Sequence, residues 1–275
     1  MPLDFVVDTT RCTKCGACAA DCPSLIISLE SGAPAIKAEK EVKCIKCQHC
    51  LAVCPTGAIS IFGKNPAAST QIKGRFPDAD KMEALIKGRR SVRRYLDENL
   101  PPDLIQRLLD VTAHAPTGCN SRKVFFSVVD DRAVMTKIRT ELLDIIEARS
   151  KADQLPPDLK FFGDFVPLWR EKNIDAIFRR APHMLIVSAP TSIATPEQDC
   201  IIAMTQFELF AQSLGLGTLW CGLATWAFND IAPKFKTWLG IPEENLIGYV
   251  MLFGKPAVTY HRAVQHAPAG IHHIK

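Results

Sequence analysis

The chain has 275 residues, 47% of them hydrophobic and 23% charged, which is enough apolar material for one large domain or for a medium domain with a small one attached. Its formal net charge of +4 counts every cysteine as neutral, so the charge supports no nucleic-acid partner. The first residues, MPLDFVVDTTRC, include Asp4 and contain no apolar run long enough for a signal peptide, so we expect a reducing cytoplasm.

Eight of the eleven cysteines lie in the first fifty-four residues, in the runs CTKCGACAADCP and CIKCQHCLAVCP. The second run repeats the first at an offset of 32 positions. Each is followed by a short apolar segment, LIISLE or AISIF, that we expect to form a strand. Two such halves predict a pseudo-symmetric module of about sixty residues, which is too small for a good hydrophobic core and needs metal clusters for stability.

The spacing of both runs is C-x2-C-x2-C-x3-C-P, which is typical of bacterial ferredoxins. Three thiolates wrap around three corners of a cubane, and the cysteine before the proline binds the other cluster. We therefore expect two [4Fe–4S] clusters, one on Cys12, Cys15, Cys18 and Cys54, and one on Cys44, Cys47, Cys50 and Cys22. Structural zinc would favour separated C-x2-C pairs, and disulfides are not expected in a reducing compartment. Residues 1–62 thus resemble two-cluster ferredoxins, which implies a one-electron carrier.

Residues 63–79 contain Gly, Pro and Ser without apolar periodicity, and this composition predicts a linker. A second domain, 80–275, is expected to follow. Met82, Leu85 and Ile86 share one face of a helix that a cap at Asp80 would begin, and PPDLIQRLLDVTAHAP predicts a helix closed by prolines.

Strands and helices then mix along the chain. VFFSVVD, HMLIVSAP, TLWCG and LIGYVMLF predict strands, and AVMTKIRTELLDIIEARS and NDIAPKFKTWLG predict helices. Between Cys200 and Phe228 the only charged residue is Glu208, but glutamines and glycines interrupt the stretch, so we expect a buried helix of about sixteen residues and no membrane span. The absence of a regular βαβ rhythm favours an α+β fold. No Gly-x-Gly-x-x-Gly follows a strand, so a Rossmann site is not supported.

The segment GRRSVRRYLDENLP, from Gly88, could hold a phosphate, although alone it is more typical of a solvated basic turn. Followed in order by APTGCN, RAPHMLIV and SLGLGTLWCG, it resembles the nitroreductase family over roughly residues 80–265. The resemblance implies an α+β domain with an antiparallel or mixed sheet that binds FMN. It also implies a homodimer with each flavin in the subunit interface.

The resemblance further implies three groups of flavin contacts. The phosphate, ribityl chain and pyrimidine edge would be held by Arg89, Arg90, Ser91 and Arg93, with Arg262 as a second phosphate-binding cation. The partner subunit would supply Pro116, Thr117, Gly118 and Asn120. The isoalloxazine ring would face Trp220, Cys221 and Gly222, the last two offering backbone N–H groups near N5 and O4.

The sequence departs from the family after the asparagine, where Arg122 and Lys123 replace the usual Gln-Pro of N-x-Q-P-W. The added charge would favour an acidic substrate or the docking of a ferredoxin module, but an exposed loop is the commoner explanation. Aromatic residues between the predicted helix and RAPHML could line a lid over the flavin or pack in the core: Phe161, Phe162, Phe165 and Trp169. The remaining cysteines, Cys119, Cys200 and Cys221, are expected to be small buried residues. His114 and His261 are assigned no acid/base role.

The favoured function is an FMN-dependent oxidoreductase in which the clusters exchange electrons with the flavin and the acceptor is a nitroaromatic, a quinone or an activated double bond. The electron donor would be an external ferredoxin or another redox protein. In one alternative NAD(P)H is the donor and the clusters pass electrons out. In another the protein is an electron carrier without its own small-molecule substrate, against which the aromatic-rich lid segment argues.

Overall fold

A computed structural model describes residues 3–275, and Met1 and Pro2 lie outside the described residues. Contacts divide the chain into two compact units. The first unit runs to Pro77 and includes Cys119–Ser121, and the second comprises Asp78–Gly118 and Arg122–Lys275. The division after Pro77 falls within the linker predicted at residues 63–79.

The first unit consists of short strands and single helical turns. Its elements are β1 (Val6–Val7), α1 (Ala17–Ala20), β2 (Ile27–Ser28), β3 (Ala35–Ile36), a 3-10 helix (Ala38–Lys43), α2 (His49–Ala52), β4 (Ile59–Ser60) and a 3-10 turn (Pro66–Ala68). β1 pairs with β4 and β2 pairs with β3, both antiparallel. β2 and β4 lie within the two segments that the sequence predicts as strands.

The sequence repeat of the first unit is also a repeat of its backbone. Lys14 and Lys46, 32 positions apart, have φ of 57° and 58°. Gly16 and Gln48, also 32 apart, have φ of 77° and 61° and precede α1 and α2. A left-handed residue turns the chain sharply, so both cysteine loops close through the same turn.

The core of the first unit is small. Its buried members are Cys18, Ile26, Ile27, Cys50, Leu51, Ile59 and Ile61. Two of these are cysteines of the runs, so the apolar core forms directly around the cysteine loops. A core of this size gives little stability by itself, so bound clusters are expected to contribute much of it.

The second unit is a four-stranded antiparallel sheet, in the order β5-β6-β8-β7, with helices on both faces. Its strands are β5 (Phe125–Val129), β6 (His183–Pro190), β7 (Gly217–Trp220) and β8 (Asn245–Gly254). Its α-helices are α3 (Ala79–Gly88), α4 (Pro102–Thr112), α5 (Arg132–Lys151), α6 (Phe165–Arg170), α7 (Pro196–Ser213), α8 (Gly222–Trp226) and α9 (Phe235–Trp238). 3-10 turns cover Pro157–Asp164, in this unit, and Gly118–Asn120, which straddles the two units, and a π-turn covers Ala227–Ile231. The predicted α+β class is confirmed.

Alternate residues of the central strands enter two separate cores. Met184 and Ile186 of β6 pack in one core with α5, whereas Leu185 and Val187 pack in the other with α4 and α7. Because both faces of the sheet are covered, β6 contains the continuous apolar run MLIV, in which apolar and polar residues do not alternate. No helix within residues 3–275 combines the length and the apolar character needed to cross a membrane.

Two predicted element boundaries were wrong. Helix α3 is capped by Asp78, whose carboxylate accepts the N–H groups of Asp80 and Lys81, so the cap lies two residues before the predicted Asp80. NDIAPKFKTWLG does not form one helix, because Pro233 has no N–H to continue the turn and separates the π-turn from α9.

Candidate functional site

One set of four cysteines in the first unit lines a common cavity: Cys12, Cys15, Cys18 and Cys54. The first three belong to the first run and Cys54 to the second, so the fold brings the Cys-Pro cysteine across to the other run. Burial raises the pKa of the Cys18 thiol, and the neighbouring Cys54 and Cys15 add to the increase. Cys15 and Cys54 therefore lie close enough to Cys18 to interact with it electrostatically, and Cys12 lines the same cavity.

The other four cysteines form a matching set around Cys50. Burial raises the pKa of its thiol to about 11, and the like charges of Cys47, Cys44 and Cys22 contribute. None of the cysteines in the described part of the chain forms a disulfide. The grouping in two crossed sets of four is the arrangement that the sequence predicts for the cluster ligands.

Backbone groups near the cysteines favour the charged thiolate. The N–H of Lys46 donates to Cys44 Sγ at 3.4 Å, and that of Ala58 donates to Cys54 Sγ at 3.2 Å. Burial alone would raise the pKa of Cys54, but the bonds from Ala58 and Thr56 outweigh it and leave the pKa lowered. Such N–H···S bonds are among the features that set the potential of an iron–sulfur cluster.

The number of thiolates in each set bears on what the loops could hold. Among residues 3–275, no three His, Cys, Asp or Glu side chains converge closely enough to hold one ion. A cubane spreads its thiolates over four iron atoms, whereas a zinc ion holds all four sulfurs at about 2.3 Å from one centre. Two crossed sets of four thiolates match the four ligands that each of two cubanes needs.

In the second unit, the basic segment after α3 lies along the edge strand β7. The N–H of Val92 donates to the Thr218 carbonyl at 2.8 Å, and Ser91 forms a parallel bridge with Thr218. A Cβ at Gly217 would lie 2.8 Å from Val92 side-chain atoms, so the close approach requires glycine there. The segments RRSVRRY and TLWCG, far apart in sequence, are therefore neighbours.

A buried carboxylate, that of Glu208, lies where the basic segment Arg89–Arg93 meets β7, and we call this place the Glu208 junction. Glu208 of α7 accepts bonds from Arg89 Nη1 at 3.2 Å, Thr218 Oγ1 at 3.1 Å and Trp220 Nε1 at 3.0 Å. A buried charge must be paired and hydrogen-bonded to be tolerated. The sequence prediction gave Glu208 no role, although its position as the one charge in a long apolar stretch is the signal that marks it.

The predicted cations differ in their surroundings. Arg89 is engaged by Glu208, and exposed Arg93 donates to the Ser91 carbonyl at 3.3 Å. Arg90 is half-buried, and no acidic side chain within residues 3–275 pairs with it. Arg262 is exposed and lines a cleft of about 520 Å³ with α3 residues that include Lys87.

The two backbone N–H groups predicted to face the flavin after β7 differ in availability. The Cys221 N–H donates to the Val250 carbonyl at 2.8 Å, so the expectation that it is free for a flavin was wrong. Gly222 begins α8, and its N–H therefore has no acceptor inside the helix. Beside it, Trp220 packs edge-to-face on Tyr249 with ring centroids 5.1 Å apart.

The loop after α4 lies at a different place on the second unit. Pro116 is exposed, Thr117 is half-buried, and the N–H of Gly118 donates to Asp199 at 2.9 Å. Asp199 and Glu208 are nine residues apart on α7, or about 14 Å along its axis at 1.5 Å per residue. One chain therefore does not bring this loop to the Glu208 junction. Asn120, with φ of 53°, groups with the first unit.

The other candidate residues divide between core and surface. Phe162 is fully buried and Phe165 and Trp169 pack against the core, whereas Phe161 is exposed. The exposed residues also include His114, His261, Arg122 and Lys123. Cys200 and Cys221 are buried as expected, but Cys119 is exposed, so that prediction was wrong. Cys119 has φ of 50° in the turn at Gly118–Asn120, and this turn holds it at the surface.

Comparison with known proteins matches both units. Residues 86–255 match the Nitroreductase family model and residues 11–59 match the 4Fe-4S dicluster domain model. A Methanothermobacter thermautotrophicus protein, provisionally named NADH dehydrogenase/NAD(P)H nitroreductase, is 29% identical over 193 residues, which cover 69% of this chain and 84% of that protein.

Solved structures show the same fold. A nitroreductase with bound FMN from Bacteroides fragilis superposes with a TM-score of 0.57 at 22% identity, over 70% of this chain and 98% of its own. One from Desulfitobacterium hafniense, also with bound FMN, gives 0.55 at 24% identity, over 71% and 98%. The family match spans more than half of the chain. The chain belongs to the nitroreductase family and carries a 4Fe-4S dicluster domain before its nitroreductase domain.

Proposed function

We propose that the chain is an FMN-dependent oxidoreductase in which two [4Fe–4S] clusters supply electrons for the reduction of a conjugated acceptor, such as a nitroaromatic, a quinone or an activated double bond. The observation that carries the proposal is the crossed grouping of eight cysteines in a chain that also has a nitroreductase domain. Electrons move singly through clusters, whereas these acceptors take two.

The residues at the Glu208 junction fit a flavin. A half-buried cation without an acidic partner is suited to a phosphate, and Arg90 is such a cation, with Arg93 and Arg262 as the exposed cations of the set. Arg89 and Ser91 are held in position beside β7 by Glu208 and Thr218. Trp220 and the N–H of Gly222 would face the ring. When bound, FMN supplies hydride transfer to the acceptor.

A homodimer would complete the site. Pro116, Thr117 and Gly118 are about 14 Å along α7 from the junction, so a second copy is needed to bring this loop and Asn120 to the flavin. The outer face of α7 supports such an interface, because the apolar side chains of Ile201 and Ile202 are exposed on it beside Thr205. An apolar helix face left open on one chain is typical of a dimer contact.

The protein's part in the reaction is to bind and position. Cys12, Cys15, Cys18 and Cys54 would hold one cluster, and Cys44, Cys47, Cys50 and Cys22 the other. No histidine is needed as an acid or base, since protons can come from solvent. Of the four aromatic residues predicted for a lid, Phe161 is 40% exposed, and its ring could stack on a flat acceptor. A reducing cytoplasm remains the predicted compartment.

Composition and one matched pair of variants test the proposal. Anaerobically purified protein should be brown, release one FMN per chain on denaturation and contain about eight iron and eight sulfide per chain. Arg90→Ala should retain much less FMN than wild type, whereas Arg94→Ala, an exposed arginine four residues on, should retain the normal amount. Colourless protein without flavin, or equal FMN in both variants, would contradict it.

NAD(P)H as donor, with the clusters passing electrons out, is favoured by the names of relatives such as that from Methanothermobacter thermautotrophicus. Stopped-flow bleaching of the flavin absorbance decides between the directions. Fast bleaching by NADH or NADPH with slow bleaching by reduced ferredoxin supports the outward direction. The reverse result supports the inward direction.

A further inference from the structure

The two cysteine loops repeat in sequence but not in exposure. Cys15 is exposed, whereas Cys47, its counterpart 32 residues later, is half-buried. The other seven predicted ligands are half-buried or buried. Since electron transfer requires a short path between centres, the set that contains Cys15 is the better placed of the two to exchange electrons with an external protein.

Two cations lie near this exposed ligand. Lys14 is exposed, and its positive φ of 57° holds it at the outer turn of the loop between two predicted ligands. Arg11 Nη2 donates to the Thr56 carbonyl at 2.5 Å, and Thr56 lines the cavity of Cys15. Neither Lys14 nor Arg11 forms an ion pair with any side chain in the described part of the chain.

An open groove of about 340 Å³ continues this surface along β1 and β4. Arg11 and Lys64 lie along it, and Val6, which is 59% exposed, adds apolar area. The one acidic residue in the groove, Asp8, accepts the N–H and hydroxyl of Thr10 and the N–H of Arg11. These bonds hold the Asp8 carboxylate in the turn without removing its charge, so the two cations Arg11 and Lys64 against one carboxylate leave the groove with a net charge of +1.

We propose that Lys14, next to Cys15, together with Arg11, Lys64 and Val6 of the adjoining groove, forms the docking surface for an acidic one-electron carrier protein. Small redox interfaces commonly combine a modest apolar patch with complementary charge, which steers the encounter. A cluster on four thiolates is itself negative, and these cations offset its repulsion of an acidic partner. The inference rests on the proposed function.

Each docking oxidises one carrier by one electron and reduces the cluster on Cys12, Cys15, Cys18 and Cys54 by one electron. Two dockings supply the electron pair that one acceptor consumes, and the accompanying protons come from water. The surface would thus be the place where one-electron carriers deliver the electrons for a two-electron reaction.

The test uses the holoenzyme and an acidic plant-type [2Fe–2S] ferredoxin as probe. Binding of oxidised ferredoxin is measured by surface plasmon resonance at low and high salt for wild type, Lys14→Glu, Lys64→Glu and the double variant. Lys73→Glu, an exposed lysine in the linker, is the matched control. We expect the double variant to lose about tenfold or more in association rate at low salt, with the difference nearly lost at high salt.

Iron content and turnover with a direct reductant should be unchanged in all variants, so a loss of binding is not a loss of clusters. Lys64 follows a turn after β4 and is ten residues after Cys54, the last predicted ligand in the sequence, so its variant stays informative if Lys14→Glu disturbs the cluster loop. Equal binding by Lys64→Glu and Lys73→Glu, or no binding of the acidic probe by wild type, overturns the docking surface. Failure of the proposed function would appear separately, as absent iron or absent turnover with the direct reductant.

Discussion

The first unit buries a few isoleucines around its cysteine loops, whereas the second buries two apolar cores on opposite faces of a four-stranded sheet. The first unit therefore relies on what its cysteines bind, and the second can fold on hydrophobic burial alone. Substitutions should therefore act differently in the two units. Those near the cysteines should affect the folding of the first unit and electron transfer together. Those at the Glu208 junction should affect the flavin site.

Removing the iron should have the largest effect. We expect anaerobic chelation to unfold the first unit and to leave the second unit folded, because only the first lacks an adequate core. Hydrogen–deuterium exchange measures this directly: amides of β1 and β4 should exchange fully, and those of β6 and β8 should stay protected. Continued protection of β1 and β4 after iron loss would show that the small core suffices.

Replacing the buried carboxylate of the second unit should come next. Glu208→Ala leaves Thr218 and Trp220 without their acceptor and Arg89 without its counter-charge, and we expect a loss of about 2–3 kcal/mol in unfolding free energy. Arg89 is 31% exposed, so water screens part of the cost. Urea denaturation measures it, with exposed Glu197→Ala on the same helix as control. If Glu208→Ala lowers the unfolding free energy no more than Glu197→Ala does, Glu208 does not hold this part of the unit together.

Adding a methyl group where the basic segment packs against β7 should lower the unfolding free energy by a smaller amount. Gly217→Ala places a Cβ 2.8 Å from Val92, and the required shift should destabilise the second unit by about 1–3 kcal/mol and weaken FMN retention. Gly88→Ala meets no atom within 4 Å and should be neutral or slightly stabilising. Thermal unfolding and released FMN compare the two, and equal behaviour would argue against a tight junction.

The smallest expected effect is a pH dependence in the second unit. Burial lowers the pKa of His183 below its ordinary value near 6.5, and its ring nitrogen accepts the Leu100 N–H at 2.9 Å. Since the unfolded state then binds the proton first, stability is complete above pH about 6.5 and falls as the pH drops below it, by at most about 1.4 kcal/mol per pH unit. Urea midpoints from pH 7 to 5 measure this. A steeper fall for wild type than for His183→Gln is expected, and identical slopes would assign the loss elsewhere.

Local patterns predicted the parts of the molecule that local geometry determines. The cysteine spacing predicted two sets of four because the loop itself sets the positions of three thiolates, and HMLIVSAP predicted β6 because both faces of that strand are apolar. The Cys221 N–H could not be assigned from sequence, since its use depends on pairing with Val250 across the sheet. The role of Glu208 depends in the same way on Arg89, 119 residues away.

The most direct test of the account is turnover driven by reduced ferredoxin, compared with turnover driven by a direct flavin reductant, in wild type, Cys12→Ser and Cys44→Ser. The account predicts that each substitution abolishes ferredoxin-driven reduction of a nitroaromatic acceptor and leaves the direct reaction near the wild-type rate. The direct rate also shows that the second unit of each variant is folded. Unchanged ferredoxin-driven rates in both variants would contradict electron transfer through the clusters.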